Sequence, residues 1–385
     1  MQASPGQALG RKVWRRSSVT SSLLLTLTIL LFDTPPDTAL AQGCVAARGA
    51  GMPCGQQGVH LGEPLPPVAG FQASVAYRWL RSDRSFVGDE EQEEVDDQHL
   101  QPINDSHFID FSLSYSFNPR FSATVVVPFV AHQRSQVVLD PQVAAFRRYK
   151  THASGLGDMR FSVNGWILDP SAAQAGNVLL GIGVDVPSGE DNVRDTVPVL
   201  QQGELVQMQR TVDQSIQPGD GGWGLVLELY AYRALVPRLN GYLNGSYTIT
   251  PEEENGVPTF IRNRFEDEMS IADSYLGRGG LEFLAWPRHA LIISVGARVE
   301  GVRVDDAVGG SDGFRRPGYA VSIEPGLVLP WGTWLLNLYT PVALYRNREQ
   351  SVAEKQLSAA TGFDVHGDAS FADVLVSFSV TKRFQ

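Results

Sequence analysis

The feature that most constrains this chain is an alternation of apolar and polar side chains with a period of two, held for runs of about ten to fifteen residues. In residues 107–117, HFIDFSLSYSF, Ile109, Phe111, Leu113, Tyr115 and Phe117 fall on one side and Asp110, Ser112, Ser114 and Ser116 on the other. Residues 71–79 set Phe71, Ala73, Val75, Tyr77 and Trp79 against Gln72, Ser74, Ala76 and Arg78. Residues 289–301 set Leu291, Ile293, Val295, Ala297 and Val299 against Ser294, Gly296, Arg298 and Glu300. Period two means strand. Ordinary strands run to roughly five or six residues, whereas a tilted membrane crossing needs about nine to eleven.

The connections alternate as well. Tight turns fall at 118–120, 169–176, 236–238, 286–288 and 330–332, and long polar loops near 81–105, 132–154, 188–219, 251–270, 304–318 and 347–370. Bacterial outer-membrane barrels have short periplasmic turns, longer external loops and an even strand count. Twelve runs are predicted, near 70–80, 106–117, 121–131, 155–168, 177–187, 220–234, 239–250, 271–285, 289–303, 319–329, 333–346 and 371–384. The expected fold is an all-β, transmembrane, antiparallel up-and-down β-barrel of about twelve strands, with both barrel ends on the periplasmic side. Phe117, Phe121, Trp166, Trp286, Trp331 and Trp334 sit where runs meet turns and are expected to form a periplasmic aromatic girdle. The last run ends in Phe384, the kind of terminal aromatic that barrel-assembly machinery reads in many such chains, although Gln385 follows it.

The N-terminus agrees with export. Arg11, Lys12, Arg15 and Arg16 precede the apolar run 23–32, and the small-residue site Ala39-Leu40-Ala41 follows, which reads as a secretory signal peptide cut after Ala41. About ten apolar residues are too few for a spanning helix, and no later stretch reaches the eighteen or so that one requires. The expected organisation is a leader at 1–41, an irregular periplasmic extension or lumen plug at 42–69, and a barrel at 70–385 in the cell outer membrane, in contact with its lipid. Export permits Cys44 and Cys54 to pair as a loop-closing staple, and two thiols without a histidine pair do not make a zinc site. The net charge of −11 becomes −13 once four cations and two anions leave with the leader, which argues against nucleic acid as a partner.

Charged residues fall on the polar faces of the runs: Arg78, Asp110, Arg160, Asp185, Glu228, Arg278, Glu282, Arg298, Glu300 and Glu324. An Arg or Lys facing lipid at the midplane costs about 2 to 4 kcal/mol, so these residues are expected to line the lumen, for example with Glu282 facing Arg298 across the hairpin at 286–288. They either set the selectivity of a solute pathway or form an ion ladder that fills the lumen, and lumen width decides between the two. Acidic runs at 89–97, 252–254 and 266–268 fall in external loops, where divalent cations are a candidate ligand beside the simpler reading of a solvated face. His99, His107, His132 and His152 lie near the same rim without a metal-binding spacing. No nucleophile motif such as G-x-S-x-G occurs, so no catalytic, cofactor-binding or metal-ligating residue is assigned, and the chain is not read as an enzyme.

Three further segments carry motifs. Gly155-Leu156-Gly157-Asp158 leads into a strand, Pro187-Ser188-Gly189-Glu190 closes one, and Gln217-Pro218-Gly219-Asp220-Gly221 leads into another. In this order they resemble the outer-membrane protein family named after the meta-cleavage pathway of phenol degradation. The resemblance covers about 80 residues closely. It implies a channel or transporter for aromatic or other small hydrophobic or amphipathic compounds. Physically, the glycines suit tight loops folding onto the rim, and Asp158 is suited to accept backbone N–H groups. The alternative is a structural or surface-interaction barrel with a closed lumen, whose external loops do the work.

Overall fold

The alternating runs resolve into twelve antiparallel strands that close on themselves. The computed structural model describes residues 42–43, 69–173, 175–261 and 263–384. The leader at 1–41, the two cysteines and all but two residues of the 42–69 segment lie outside them. In chain order the barrel strands are β1 (Gly70–Val87), β2 (Ile103–Ser116), β3 (Phe121–Asp140), β4 (Ala145–Leu156 and Met159–Trp166), β5 (Gly176–Val186) and β6 (Gly224–Val236). They continue as β7 (Leu239–Ile249), β8 (Ser274–Trp286), β9 (Leu291–Val302), β10 (Gly318–Trp331), β11 (Trp334–Tyr339 and Val342–Arg348) and β12 (Ala369–Arg383). Each strand pairs with the next, and β12 returns to β1 over Gln72↔Arg383 to Phe86↔Ala369. Closure pairs the backbone groups that an open sheet edge would leave bare in hydrocarbon.

Burial is inverted relative to a water-soluble protein. Phe71, Phe111, Leu113, Phe161, Ile182, Leu243, Ile293 and Val295 are exposed on the outer wall, whereas Arg160, Glu228, Asn244, Arg298 and Glu324 are buried inside. A chain that exposes its apolar face and buries its charges is built for lipid outside and a polar interior. No helix of the described residues is long and apolar enough to cross a membrane; the strands cross it.

Short turns gather at one end and long loops at the other. At the first short turn, the Asn118 side-chain oxygen accepts the N–H groups of Arg120 at 2.8 Å and Phe121 at 3.0 Å, reversing the chain in four residues. Two expectations change. The stretch 132–154, read as a loop, is a paired extension of β3 and β4 that holds register from Phe129↔Leu156 to Asp140↔Ala145, with a turn only at 141–144. Here the inner face carries buried polar groups such as Arg134 and Thr151, so polar residues occupy both sides and the pattern no longer announces a strand. Trp166 leaves the girdle: Phe161, Val163 and Ile167 face outward, which turns Trp166 inward against Tyr230 and Tyr232 at centroid distances of 6.0 and 5.9 Å. Phe117, Phe121, Trp286, Trp331 and Trp334 remain exposed at that end, as a girdle requires.

Candidate functional site

All ten charged residues expected in the lumen point inward and are largely shielded from solvent. Nine of them gather in two clusters. On one side Arg160 forms a two-pronged bond with Asp185 at 2.7 Å for each prong and lies 3.9 Å from Glu228, while Arg78 meets Asp110 at 3.1 Å. On the other, Arg278 meets Glu324 at 2.7 Å, and Arg298 bonds both Glu300 at 2.6 Å and Glu324 at 3.2 Å. The register sets Glu282 opposite Ser294 and Arg298 opposite Arg278, so the expected facing of Glu282 with Arg298 gives way to pairing within β9 and on to β10. Below these clusters the lumen is apolar and aromatic, lined by Leu179, Tyr230 and Tyr232 on one side and Ile292, Val328, Leu335 and Tyr339 on the other.

The three glycine motifs, spread over more than sixty residues of sequence, meet in a single knot. β4 breaks at Gly157-Asp158, and the Asp158 carboxylate accepts the N–H of Gly189 through one oxygen and that of Asp220 through the other, both at 2.9 Å. The Ser188 hydroxyl accepts the Met159 N–H at 2.9 Å and donates to the Gly157 carbonyl at 3.1 Å. A Cβ on Gly189 would stand 2.8 Å from the Gly219 Cα, and one on Gly219 would stand 2.8 Å from the Gly189 carbonyl carbon, so neither position has room for a side chain. Pro218 packs over Gly155 and Gly157, and Pro187 ends β5. Gln217 fixes the same loop, its side chain accepting from the Val193 N–H at 2.9 Å and donating to the Val212 carbonyl at 3.0 Å.

From the knot, residues 187–223 run over the outer mouth as a strap, from which Arg194–Gln201 and Glu204–Thr211 stand out as an antiparallel hairpin. The strap's 3-10 turn Gln214–Ile216 is its buried part, and Asp213 at the start of that turn is buried between Arg316 at 3.3 Å and Arg134 of β3 at 3.6 Å. Burial works to raise the Asp213 carboxyl, but the two guanidinium groups and Ser215 outweigh it and hold it at about 2. Gln214 donates to the Ser270 carbonyl at 2.7 Å. β4 and β10 stand on opposite sides of a ring of twelve, so a loop tied to both spans the opening. Arg134 and Asp213 lie in stretches that read as polar loop, and only the fold brings them together.

The outer half of the lumen also holds an apolar chamber. Leu80, Phe108, Val130 and Leu375 form one cluster, and Phe86, Ala320, Ala369 and Phe371 another, with Phe86 and Phe371 edge to face at 5.6 Å. Arg78 lies over the Phe108 ring at 4.7 Å, which joins the chamber to the first ionic cluster. Beside the chamber the wall has a slot. β11 breaks at Thr340-Pro341, and Val342↔Val374 is the last backbone pair between β11 and β12. Above it β11 follows β10 and β12 follows β1, until the Gly88–Arg348 bridge closes the top. Side chains span the gap: Arg346 bonds Asp373, which also takes Arg84 at 2.8 Å. The polar space between the knot and Arg78, Arg160 and His132 is about 90 Å³, and the apolar space at the slot about 30 Å³.

The histidines do not converge. His107 lies on the outer wall, hydrogen-bonded to Tyr77 at 2.8 Å, while His132 packs inside against Phe108. Among the described residues no group of three or more histidine, cysteine and acidic side chains is placed to hold a metal ion.

No protein-family model matches the chain, and no curated protein sequence matches it. Among solved structures it is similar to a COG4313 outer membrane channel from Pseudomonas putida F1, with a TM-score of 0.54 at 10% identity over 85% of this chain and all of that one. It also overlaps the P. putida toluene transporter TodX, with a TM-score of 0.44 at 9% identity over 82% of this chain and 90% of that one. The toluene transporter TbuX of Ralstonia pickettii gives 0.38 at 9% identity over 86% of this chain and 96% of that one. The likeness to the first is one of fold.

Proposed function

We propose that this chain is an exported outer-membrane channel that takes up small aromatic or other hydrophobic and amphipathic compounds. The observation that carries this reading is the apolar chamber of Leu80, Phe86, Phe108, Val130, Phe371 and Leu375 in the outer half of the lumen, set directly above the ionic clusters. Nothing in the stability of a membrane barrel requires an apolar interior, since apolar side chains are already accommodated by lipid on the outside. Such a chamber favours a solute that prefers hydrocarbon to water. The adjoining Arg78, Asp110, Arg160 and Asp185 offer hydrogen bonds to a polar end, and the second ionic cluster lines the way below. Support also comes from the shared barrel fold of the P. putida protein described as an outer membrane channel, and from three motifs that resemble the phenol meta-pathway family and here build the anchor of the outer strap.

In this reading residues 1–41 are a removed leader, residues 42–69 extend into the periplasm or the lumen, and the barrel is inserted by the assembly machinery that reads Phe384. A second reading, a barrel with a closed lumen, is favoured by the strap and by the small enclosed spaces. A cavity that admits benzene has about 150 Å³, more than either space provides, so uptake requires the strap to lift. Single-channel recording in planar bilayers together with toluene uptake into cells producing the chain separates the two. The channel reading expects stepwise current, and it expects Phe371→Asp to cut toluene uptake by about tenfold because a charge is costly in an apolar site. Absence of current with uptake unaffected by Phe371→Asp would leave the closed barrel.

A further inference from the structure

The slot leaves one edge of β12 without a barrel partner. On its other edge β12 is paired to β1, with Ser85↔Ser370 and Phe86↔Ala369. Gln42 and Gly43 lie in parallel register with Ala369 and Ser370, which puts them on the slot side. Because β12 runs from the outer end to the periplasmic end, these two residues also head toward the periplasm, where β1 begins at Gly70. The backbone nitrogen of Gln42 therefore lies toward the outer mouth, which the strap covers.

A second observation points to what belongs there. Asp368 immediately precedes Ala369, and its Oδ1 is shut off from solvent and accepts no hydrogen bond among the described residues. The arginines whose charge reaches it each lie against another carboxylate: Arg348 bonds Glu354 at 2.6 Å, and Arg134 and Arg316 flank Asp213. Burial pushes the Asp368 carboxyl up, against the pull of those three arginines. A buried carboxylate of this kind is stabilised by a close cation with hydrogens to donate.

We infer that removal of the leader after Ala41 creates that cation: the new α-amino group of Gln42 docks beside Asp368, and the mature N-terminus seals the slot as a short added strand. The occupant is the chain's own processed end, attracted by backbone pairing along the free edge of β12 and by one buried ion pair. An uncut chain has an uncharged amide nitrogen at this point, so the ion pair forms only after processing. The inference rests on the export reading above and concerns how the slot is closed, not which solute passes.

The test uses the full chain purified from outer membranes, with Cys44→Ser and Cys54→Ser as background and Gly43→Cys and Ser370→Cys added. Intact mass reports the cut, and heat-modifiable gel mobility reports folding. In the chain cut after Ala41 a disulfide between positions 43 and 370 is expected under mild oxidation. Asp368→Asn, or two residues inserted between Ala41 and Gln42 so that the new amine is displaced, is expected to lower its yield by about tenfold in folded protein, as loss of a buried ion-pair partner implies. Equal yields in all three would overturn the ion pair, absence of the disulfide from the folded parent would overturn the docking, and a cut elsewhere would overturn the origin of the amine. Loss of solute uptake with the disulfide pattern intact would count against the channel reading and leave this one supported.

Discussion

The barrel wall is broken twice, and the two breaks are repaired in different ways. In β4 the break at Gly157-Asp158 coincides with the point where β5 turns away, and the strap fills the gap with backbone groups, two N–H bonds on Asp158 and two glycines packed in contact. In β11 the break at Thr340-Pro341 leaves β12 without a β11 partner above Val374, and the gap is spanned by side chains at the Arg346, Asp373 and Arg84 cluster. Buried backbone bonds to a carboxylate hold in one geometry. Half-exposed ion pairs contribute little and rearrange readily. One break is an anchor and the other is a place where the wall can yield.

Substitutions at the two breaks should therefore differ in kind. The largest effect is expected from Gly219→Val, whose Cβ has no space beside Gly189; overpacking of this sort costs about 1 to 3 kcal/mol or more and should lower the temperature at which the folded band is lost on a detergent gel. Asp158→Ala comes next. It strands the N–H groups of Gly189 and Asp220, at about 1.5 to 3 kcal/mol for bonds to a charged acceptor, and should raise single-channel current by loosening the strap. Arg346→Ala should cost no more than about 1 kcal/mol, since Asp373 is half exposed, yet raise access of apolar probes to the chamber. If Arg346→Ala proves as destabilising as Asp158→Ala, the contrast between the breaks is wrong.

The smallest effect concerns the loop at 88–102 beside the slot. Its short helix α1, Glu93–Asp97, presents Asp96, whose carboxylate accepts the Ser85 N–H at 3.3 Å. Burial pushes this carboxyl up to about 6, above its ordinary value of 3.8. A carboxyl raised in the folded state favours folding while protonated, so its contribution is fullest below pH 3.8 and fades as pH rises to about 6. Hydrogen-exchange protection at residues 93–100, taken relative to the intrinsic exchange rate at each pH, should accordingly fall between pH 4 and pH 6, and Asp96→Asn should abolish that fall. A flat profile in the parent chain would remove Asp96 as the cause.

The sequence carried the barrel well because lipid enforces the pattern: every second residue of a span must be apolar, and charges such as Arg298 and Glu324 have only the lumen to face. Where lipid ends, legibility ends with it. The paired extension from Arg134 to Lys150 looked like loop because its inner face carries buried polar groups such as Arg134 in place of apolar ones. Trp166 looked like girdle because its inward direction depends on strand phase across the break in β4. The Asp213 clamp and the meeting of three motifs at Asp158 join residues far apart in the chain, and no local spacing announces them. The slot did have a signal. Pro341 sits inside a run otherwise read as strand, and a proline cannot donate to a sheet ladder.

The claim on which the account stands is that the chamber, not the lipid-facing wall, takes the solute. Photolabelling the purified barrel in lipid bilayers with a small aryl diazirine, followed by peptide mass mapping, tests it directly. The account predicts adducts on Leu80, Phe108, Phe371 and Leu375 that toluene competes away. Adducts confined to outward residues such as Phe111, Leu113 and Ile293, insensitive to toluene, would contradict it.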